Sequence, residues 1–435
     1  MNKYSASDRE QMQRPRHAYL AAIDSLTQIV LGAAVGELAA GRQLGNRAML
    51  WGAVAGTVPD LDVTAGWVAD PITNLAFHRC VTHSLYYAAL ASPVLAWMAR
   101  ALYWRGGRPE PGYLWRVWLP GVLLIWAFLV VGSYASPTPL EGVPVYSAIV
   151  ALVTAAVPLA VWAFRSVRPR KRDVGYREVR YGRWLALFGL GIATHPFLDC
   201  FTTYGTQVLQ PFSDLRVAWN TISVADPAYT LPFLVLVLVA SRVLRKRPLR
   251  RRLVWAGLTV SSAYLAFTCY NLLRVRGQVA ADLAAAGIAY ERFLVTPTLL
   301  QNVLWNVTVD QGDTLRVGQL GLLDEEFGLS PKHMTPIARR GELLGPIAEE
   351  RAVQVARWFS DDYFAVAPAA GDTLDYFDLR FGLLPGDPPA PVFGFQVYPR
   401  GAGQEWGFRQ RPVSGEVEPG EVAAQLWERI RGRRR

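Results

Sequence analysis

Long apolar runs joined by short loops fill the first 275 residues, and short alternating stretches replace them afterwards. A helix needs about 20 mainly apolar residues to cross a bilayer. Five segments meet that need: Leu85–Tyr103, Val117–Tyr134, Val143–Phe164, Ala228–Leu244 and Leu253–Leu273. Two more carry polar residues inside the run, namely Ser25–Ala40 with Glu37, and Arg183–Leu209 with "ATHPFLDCFTTYGTQ". An eighth, Ala48–Val58, is too short to cross unaided and ends at "VPDLD", so it reads as a short or re-entrant helix supported by its neighbours. The expectation is a membrane all-α helical bundle of about seven to eight membrane helices.

After Leu273, Gly, Pro, Asp and Glu increase. "NVLWNVTVD", "DTLRVGQLGLLD", "DTLDYFDLRFGLL" and "VFGFQVYP" then alternate as strands do. Helical patterns flank them in "QVAADLAAAGIAYERF", "IAEERAVQVARWFS" and "EVAAQLWERIRGR". The chain therefore divides into a polar N-terminal tail (1–22), a polytopic membrane domain (23–275) and a soluble α+β domain (276–435). The carboxylates of "DTLDYFDLRFG" read as the exposed face of a strand and receive no catalytic role.

Composition agrees with a membrane part joined to a soluble part: 51% of residues are hydrophobic, 15 are Trp and only 18% are charged. The net charge of +10 comes from basic blocks between apolar runs, such as "RSVRPRKRDVGYREVRYGR" and "RVLRKRPLRRR". That placement fits the positive-inside bias and no nucleic-acid partner is expected. With the basic loops in the cytoplasm, the opposite loops at 59–82, 136–142 and 210–227 hold only Arg79 and Arg216 as basic residues. The soluble domain then lies outside the cytoplasm. The basic N-terminal tail is the exception to this orientation. Three scattered cysteines, Cys80, Cys200 and Cys269, suggest neither a disulfide framework nor a cysteine zinc site.

Ionisable residues within membrane segments are costly and normally face a cavity, a partner or a site. They recur here in "IDSLTQ" (Asp24, Gln28), "VPDLD" (Asp60, Asp62), "FHRCVTHS" (His78, His83) and "THPFLDCFTT" (His195, Asp199). If the helix beginning near Arg183 runs outward, His195 lies ~18 Å and Asp199 ~24 Å along it. Both then fall in the outer half of a ~30 Å hydrocarbon core. Asp24, Asp60, Asp62 and His83 reach the same outer face, although the orientation rests on Lys and Arg alone. Imidazoles with carboxylates are the donor set of a divalent metal, which would offset the cost of several carboxylates in low dielectric. His195 and Asp199, four residues apart, share a helix face, although Pro196 kinks or restarts that helix. Each piece has a plainer reading alone: a buried His–Asp hydrogen bond, or Asp24 and Asp60 as helix caps. Their coincidence on one side points to a shared site. Glu37 falls at the cytoplasmic end and reads as a charge-paired residue.

"DSLTQIVLGAAVGE", "WGAVAGTVPDLD", "FHRCVTHSL" and "THPFLDCFTTYGTQVLQPFSD" resemble a bacterial inner-membrane family described as membrane-bound, metal-dependent hydrolases, some of whose members are regulated by the DNA-damage repressor LexA. The likeness covers roughly residues 23–275, and "DLRFG" in the tail also looks like that of longer members. It implies an inner-membrane, multi-pass protein. Asp60, Asp62, His78, His83, His195 and Asp199 match the family's acidic and histidine motifs. Many relatives read Thr-His where this chain has Thr27-Gln28, so an amide replaces a possible imidazole ligand. The resemblance also places the usual chain start near Ile23.

Taken together, the candidate metal ligands are His78, His83, His195 and Asp199, with Asp24. Asp60 and Asp62 are the candidate catalytic carboxylates, as a further ligand or general base. The cofactor expected is a divalent ion: zinc, manganese or iron. Thr82, Ser84, Thr202 and Thr203 are candidates to hold the ligands in place. The partners expected are the lipid bilayer and a lipid or lipid-linked ester or phosphodiester. The competing expectation is a transporter or metal-handling protein using the same polar cluster.

Overall fold

The computed structural model describes residues 16–67, 69–103, 110–136, 143–166, 179–384, 389–399, 406–411 and 419–432. Helices α1 (Arg16–Leu44) and α2 (Asn46–Thr57) pack backbone to backbone through small residues. A Cβ on Gly32 would collide with the Gly52 carbonyl, one on Gly36 with that of Ala48, and one on Gly56 with that of Gln28. Such close packing is the reason a small-residue spacing of four favours helix pairs in lipid, where no hydrophobic force separates helix from solvent. It also seats the end of α2 against the start of α1, where Gly56 meets the Gln28 carbonyl.

Next come α3 (Pro71–Phe77), α4 (Leu85–Leu102), α5 (Leu119–Ala135, entered through a π-helical turn), α6 (Val143–Ser166), α7 (Tyr181–Asp199), α8 (Pro227–Arg242) and α9 (Pro248–Ala285). Gly191 of α7 abuts Ala55 of α2. Trp51 sets α2 against α4 and α7: its indole donates to Tyr103 Oη at 3.0 Å and meets Trp184 edge-on at 5.7 Å. Among the described residues four helical segments are long and apolar enough to cross a membrane: Leu85–Leu102, Leu114–Ala135, Val143–Ala160 and Pro248–Ala285. Helices α1, α2, α7 and α8, needed for the larger count expected from the sequence, are not among them; α8, expected to span as Ala228–Leu244, is an apolar helix of only 16 residues. Helix α2 is only 12 residues long, and α1 and α7 carry Gln28, Glu37, His195 and Asp199, all buried inside the bundle. Glu37 is charge-paired as its position suggested, with Arg250 Nη2 at 2.5 Å.

Helix α9 has 38 residues, about 57 Å at 1.5 Å per residue, and so outruns a bilayer. It passes unbroken through the boundary expected near residue 276. Val275, Val279 and Leu283 in its last turns join the core of the first sheet with Val295, Trp305 and Val307. That sheet is antiparallel, β1 (Arg292–Pro297), β2 (Leu304–Asp310), β3 (Thr314–Gly321) and β4 (Thr335–Ala338) in sequence order. Helix α10 (Arg351–Ser360) leads to a second antiparallel sheet, β5 (Phe364–Pro368), β6 (Leu374–Leu384), β7 (Ala390–Pro399) and β8 (Trp406–Gln410), and α11 (Pro419–Ile430) follows.

The expectation that β6 exposes its carboxylates does not hold: Asp375, Asp378 and Arg380 are all buried. The first sheet covers the strand, with Thr296 Oγ1 donating to the Arg380 carbonyl at 2.8 Å and Thr308 Oγ1 to that of Leu379 at 3.0 Å. The second sheet also shares a core with the bundle. Ile72, Leu75 and Ala76 of α3 pack with Phe359, Phe364 and Tyr376, and Arg351 Nη1 donates to Thr73 Oγ1 at 3.3 Å. The sheet domain is therefore seated on the segment that carries the polar motifs.

Candidate metal centre

Three elements meet where the sheet domain sits on the bundle. The end of α2 runs into Pro59 and the 3-10 segment, which delivers Asp60 and Asp62. Asp70 caps α3, accepting from the backbone N–H of Ile72 and Thr73 at 3.0 Å each, with Pro71 in the first turn. The chain then turns through Arg79, whose φ of 58° is left-handed, into the 3-10 turn Val81–His83. Ser84 begins α4, accepting from Tyr87 N at 3.0 Å. Helix α7 runs through Pro196 to Asp199, so His195 and Asp199 remain on one face.

The Nε2 atoms of His83 and His195 stand 3.1 Å apart. Asp60 Oδ1 lies 3.5 Å from the first and 3.2 Å from the second. Asp199 Oδ2 faces the same two nitrogens at 3.4 and 3.3 Å and has no hydrogen-bond donor. The imidazole pair is thus shared by two triangles of ligand atoms, one closed by each carboxylate. Asp60, His83 and His195 satisfy the distance condition for a three-ligand metal group.

The outer ring nitrogens settle the tautomers, because the proton sits where the other atom only accepts. His195 Nδ1 lies 2.5 Å from the Gly56 carbonyl, so Nδ1 carries hydrogen and Nε2 presents a lone pair. His83 Nδ1 faces Thr82 Oγ1 at 3.1 Å and Asp62 Oδ2 at 3.3 Å, with the same consequence. With both rings neutral, two lone pairs and two carboxylate oxygens converge with no donor among them. This arrangement is satisfied by a cation. Donors bonded to zinc at about 2.0–2.2 Å at tetrahedral corners stand about 3.3–3.6 Å apart, which the observed separations of 3.1 to 3.5 Å approach. Two neutral imidazoles with two carboxylates also balance a divalent charge. The residues fit the ion.

Asp62 stands behind this group. Fully buried, it accepts from His78 Nδ1 at 2.8 Å, from Thr82 Oγ1 at 2.8 Å and from the Arg79 backbone N–H at 3.1 Å. His78 is turned to Asp62 and away from the two Nε2 atoms; its side chain keeps 21% exposure and its ring meets Tyr204 at 5.3 Å. Gln28 Nε2 donates to Asp199 Oδ1 at 2.9 Å, so the amide orients a carboxylate. Thr202 Oγ1 donates to the Asp199 carbonyl at 2.8 Å and accepts from Arg79 Nη1 at 2.8 Å. Asp24 lies in α1, but its side chain falls outside the described residues.

Sequence reasoning passed over Arg79, Tyr204, Arg216 and Arg380. Arg79 Nη2 reaches to 3.5 Å from Asp199 Oδ1, and its guanidinium lies 5.0 Å from the Tyr204 ring. Arg79 and Arg216 had a signal, as the only basic residues of the loops at 59–82, 136–142 and 210–227. Nothing local in the sequence marks Arg380 as a neighbour of the site.

An integral membrane protein with a buried His/Asp group between its helices and an appended two-sheet domain is the class these features define. The chain belongs to the YdjM inner membrane protein family, whose model matches residues 23–137 and 145–275. The matched range holds the whole His/Asp group, Asp62, His78, Arg79 and Arg216, and stops short of the sheet domain. No curated protein and no solved structure gives a significant match.

Proposed function

We propose that the protein is a membrane-embedded metal-dependent hydrolase. The observation that carries this reading is the convergence of His83 Nε2, His195 Nε2 and Asp60 Oδ1, with Asp199 Oδ2 against the same two nitrogens, at 3.1 to 3.5 Å. These four residues would hold the ion, zinc, manganese or iron being the divalent metals that suit mixed imidazole and carboxylate donors. Three protein ligands with a fourth position open are the pattern of a catalytic rather than a closed structural site, and Asp60, His83 and His195 supply three. When bound, the ion supplies Lewis-acid polarisation of an ester or phosphoryl oxygen and acidifies water.

The proton-handling group in this reading is His78. Asp62 holds its Nδ1 proton at 2.8 Å, which turns the lone pair of Nε2 outward on a partly exposed ring. An imidazole so held is a general base and, after proton uptake, the general acid for the leaving group. Asp62, its acceptor sites filled by four donors, orients both His78 and His83. Asp60, 13% exposed, marks the side from which water enters. A small recess beside Asp199, lined by Thr27, Leu198, Thr202, Ile222, Asp226 and Thr230, has room for about one water.

The finer topology belongs to the same proposal: seven to eight membrane segments with α2 re-entrant, the sheet domain outside the cytoplasm, and a lipid or lipid-linked substrate reached at the outer interface. Against the transporter reading stands the packing of α1 on α2 and of α2 on α7. Gly32, Gly36, Gly52 and Gly191 close the α1–α2 and α2–α7 seams to a path from the cluster. Metal content by elemental mass spectrometry on detergent-purified protein tests the reading, wild type beside His195→Ala/Asp199→Ala. About one or two metal ions per chain in the wild type and none in the variant is the expected result. No metal in either after reconstitution refutes it.

A further inference from the structure

Arg216 is a cation enclosed by aromatic rings at the junction of bundle and sheet domain. Its guanidinium carbon lies 4.3 Å from the Phe359 ring, 4.9 Å from Trp358 and 5.7 Å from Tyr204. Nη1 donates to the Phe359 carbonyl at 2.5 Å. Nη2 is buried with no hydrogen-bond partner, and no carboxylate pairs with Arg216 among the described residues. Gly205, at φ +83°, faces this nitrogen, and a Cβ there would stand 3.3 Å from it. The glycine leaves open the space beside the unused donor.

Two more arginines approach the rings around Arg216, Arg79 over Tyr204 and Arg380 over Phe359. Arg79 approaches Tyr204 from the metal side. Arg380 comes from the sheet domain, where a register irregularity between Asp378 and Leu383 bends β6. It pairs with Asp378 at 2.6 Å, reaches the Thr203 carbonyl at 3.5 Å, and lies over Phe359 at 4.7 Å. Asp378 pairs with Arg380 and Asp199 Oδ1 stands 3.5 Å from Arg79 Nη2, so the charge at this rim left without a facing carboxylate is that of Arg216. Burial and the nearby Arg380 push the Arg216 guanidinium down to about 9. Its charged form is costly there unless an anion accompanies it.

We propose that Arg216, with Arg79 and Arg380, forms a phosphoryl-binding collar beside the candidate metal centre, so that the substrate is a phosphate ester. The proposal deepens the hydrolase reading and rests on it for the reaction. A guanidinium fork matches two oxygens of a tetrahedral phosphoryl group, whereas a neutral carboxylic ester offers it no charge. The collar sits within reach of both Asp199, through Arg79, and His78, through Tyr204. One arginine comes from the sheet domain, which assigns that domain a part in selecting the substrate.

Equilibrium dialysis of inorganic phosphate against the full-length protein in detergent tests the collar, with metal content measured on the same samples. Wild type should bind phosphate saturably. Arg216→Ala should bind about tenfold or more weakly, as loss of a charged hydrogen bond implies, with metal content unchanged. Arg216→Lys, which keeps charge and loses the fork, should fall between them and guards against misfolding, as does thermal unfolding of each variant. Absence of phosphate binding by wild type at millimolar concentration overturns the proposal, and so does equal binding by folded Arg216→Ala. Arginine-dependent binding in a protein that holds no metal would keep the collar and sink the hydrolase reading, so the two failures are distinct. Displacement of phosphate by a short-chain phosphatidic acid in the micelle would assign a lipid headgroup as its source. Lack of displacement would assign a water-soluble phosphate ester.

Discussion

Replacing Asp62 with asparagine tests whether the carboxylate behind the cluster works through the ligands or merely holds the loop. Its Oδ2 accepts from Arg79 N–H and Thr82 Oγ1 and faces His83 Nδ1, while Oδ1 accepts from His78. Asparagine would keep its oxygen at the Oδ2 position, where a backbone donor must be met. Its amide would then face His78, whose imidazole can switch tautomer to accept. The hydrogen-bond count is preserved to within about one bond, a change of ~1 kcal/mol in the metal-free protein. What is lost is the negative charge that makes His83 a stronger ligand. Outer partners of metal-bound histidines typically contribute about 10–100-fold in affinity, or roughly 1.4–2.7 kcal/mol. The assay is competition with a chelator of known affinity, read as metal retained per chain. A tenfold to hundredfold loss at unchanged stoichiometry is expected. Unchanged affinity together with a lowered unfolding temperature of the metal-free protein would refute the reasoning and leave Asp62 as a loop staple.

His78→Ala should retain the metal, because His78 faces Asp62, while phosphate-ester hydrolysis falls by about 10²–10⁴; metal loss in this variant would make His78 a ligand and dissolve the proposed base. Gln28→Ala removes the donor 2.9 Å from Asp199 Oδ1 and should weaken metal binding by up to about tenfold, with undiminished affinity counting against the role of the amide. Gly52→Leu forces a side chain into the Gly32 backbone and should lower stability by about 1–3 kcal/mol or more, seen by thermal unfolding in detergent. Protons compete with the ion for the two Nε2 lone pairs, so affinity should fall as pH drops, by up to about tenfold per unit for each proton displaced. Chelator competition between pH 8 and 6 reads the slope, and a flat profile would exclude imidazole ligation.

The elements of the sheet domain were legible because strands announce themselves by period. "NVLWNVTVD" contains β2, and "VFGFQVYP" lies within β7. Burial of β6 was not legible, since a partner sheet can cover either face of a strand and a carboxylate can be paired once covered. The motif residues of the site could be picked out by their cost. Asp60, His83, His195 and Asp199 are expensive among apolar helices, and that expense is visible in one dimension. The division of labour among them is not. His78 and His83 lie in one short motif, yet the turn at Arg79 sends one toward Asp62 and aims the other at His195.

What the sequence determined by itself was therefore the chemistry available and its place: a membrane bundle, an appended sheet domain, and imidazoles and carboxylates gathered at one end. Periodicity and insertion cost act locally along the chain, so they can be read without coordinates. Only the tertiary structure decided which atoms face one another. The glycine contacts of α1, α2 and α7 bring Asp60 to the imidazole pair, and the irregularity in β6 carries Arg380 to within 3.5 Å of the Thr203 carbonyl, 177 residues away in the chain. Distances of that kind depend on backbone approach and register, which arise only when separate elements pack.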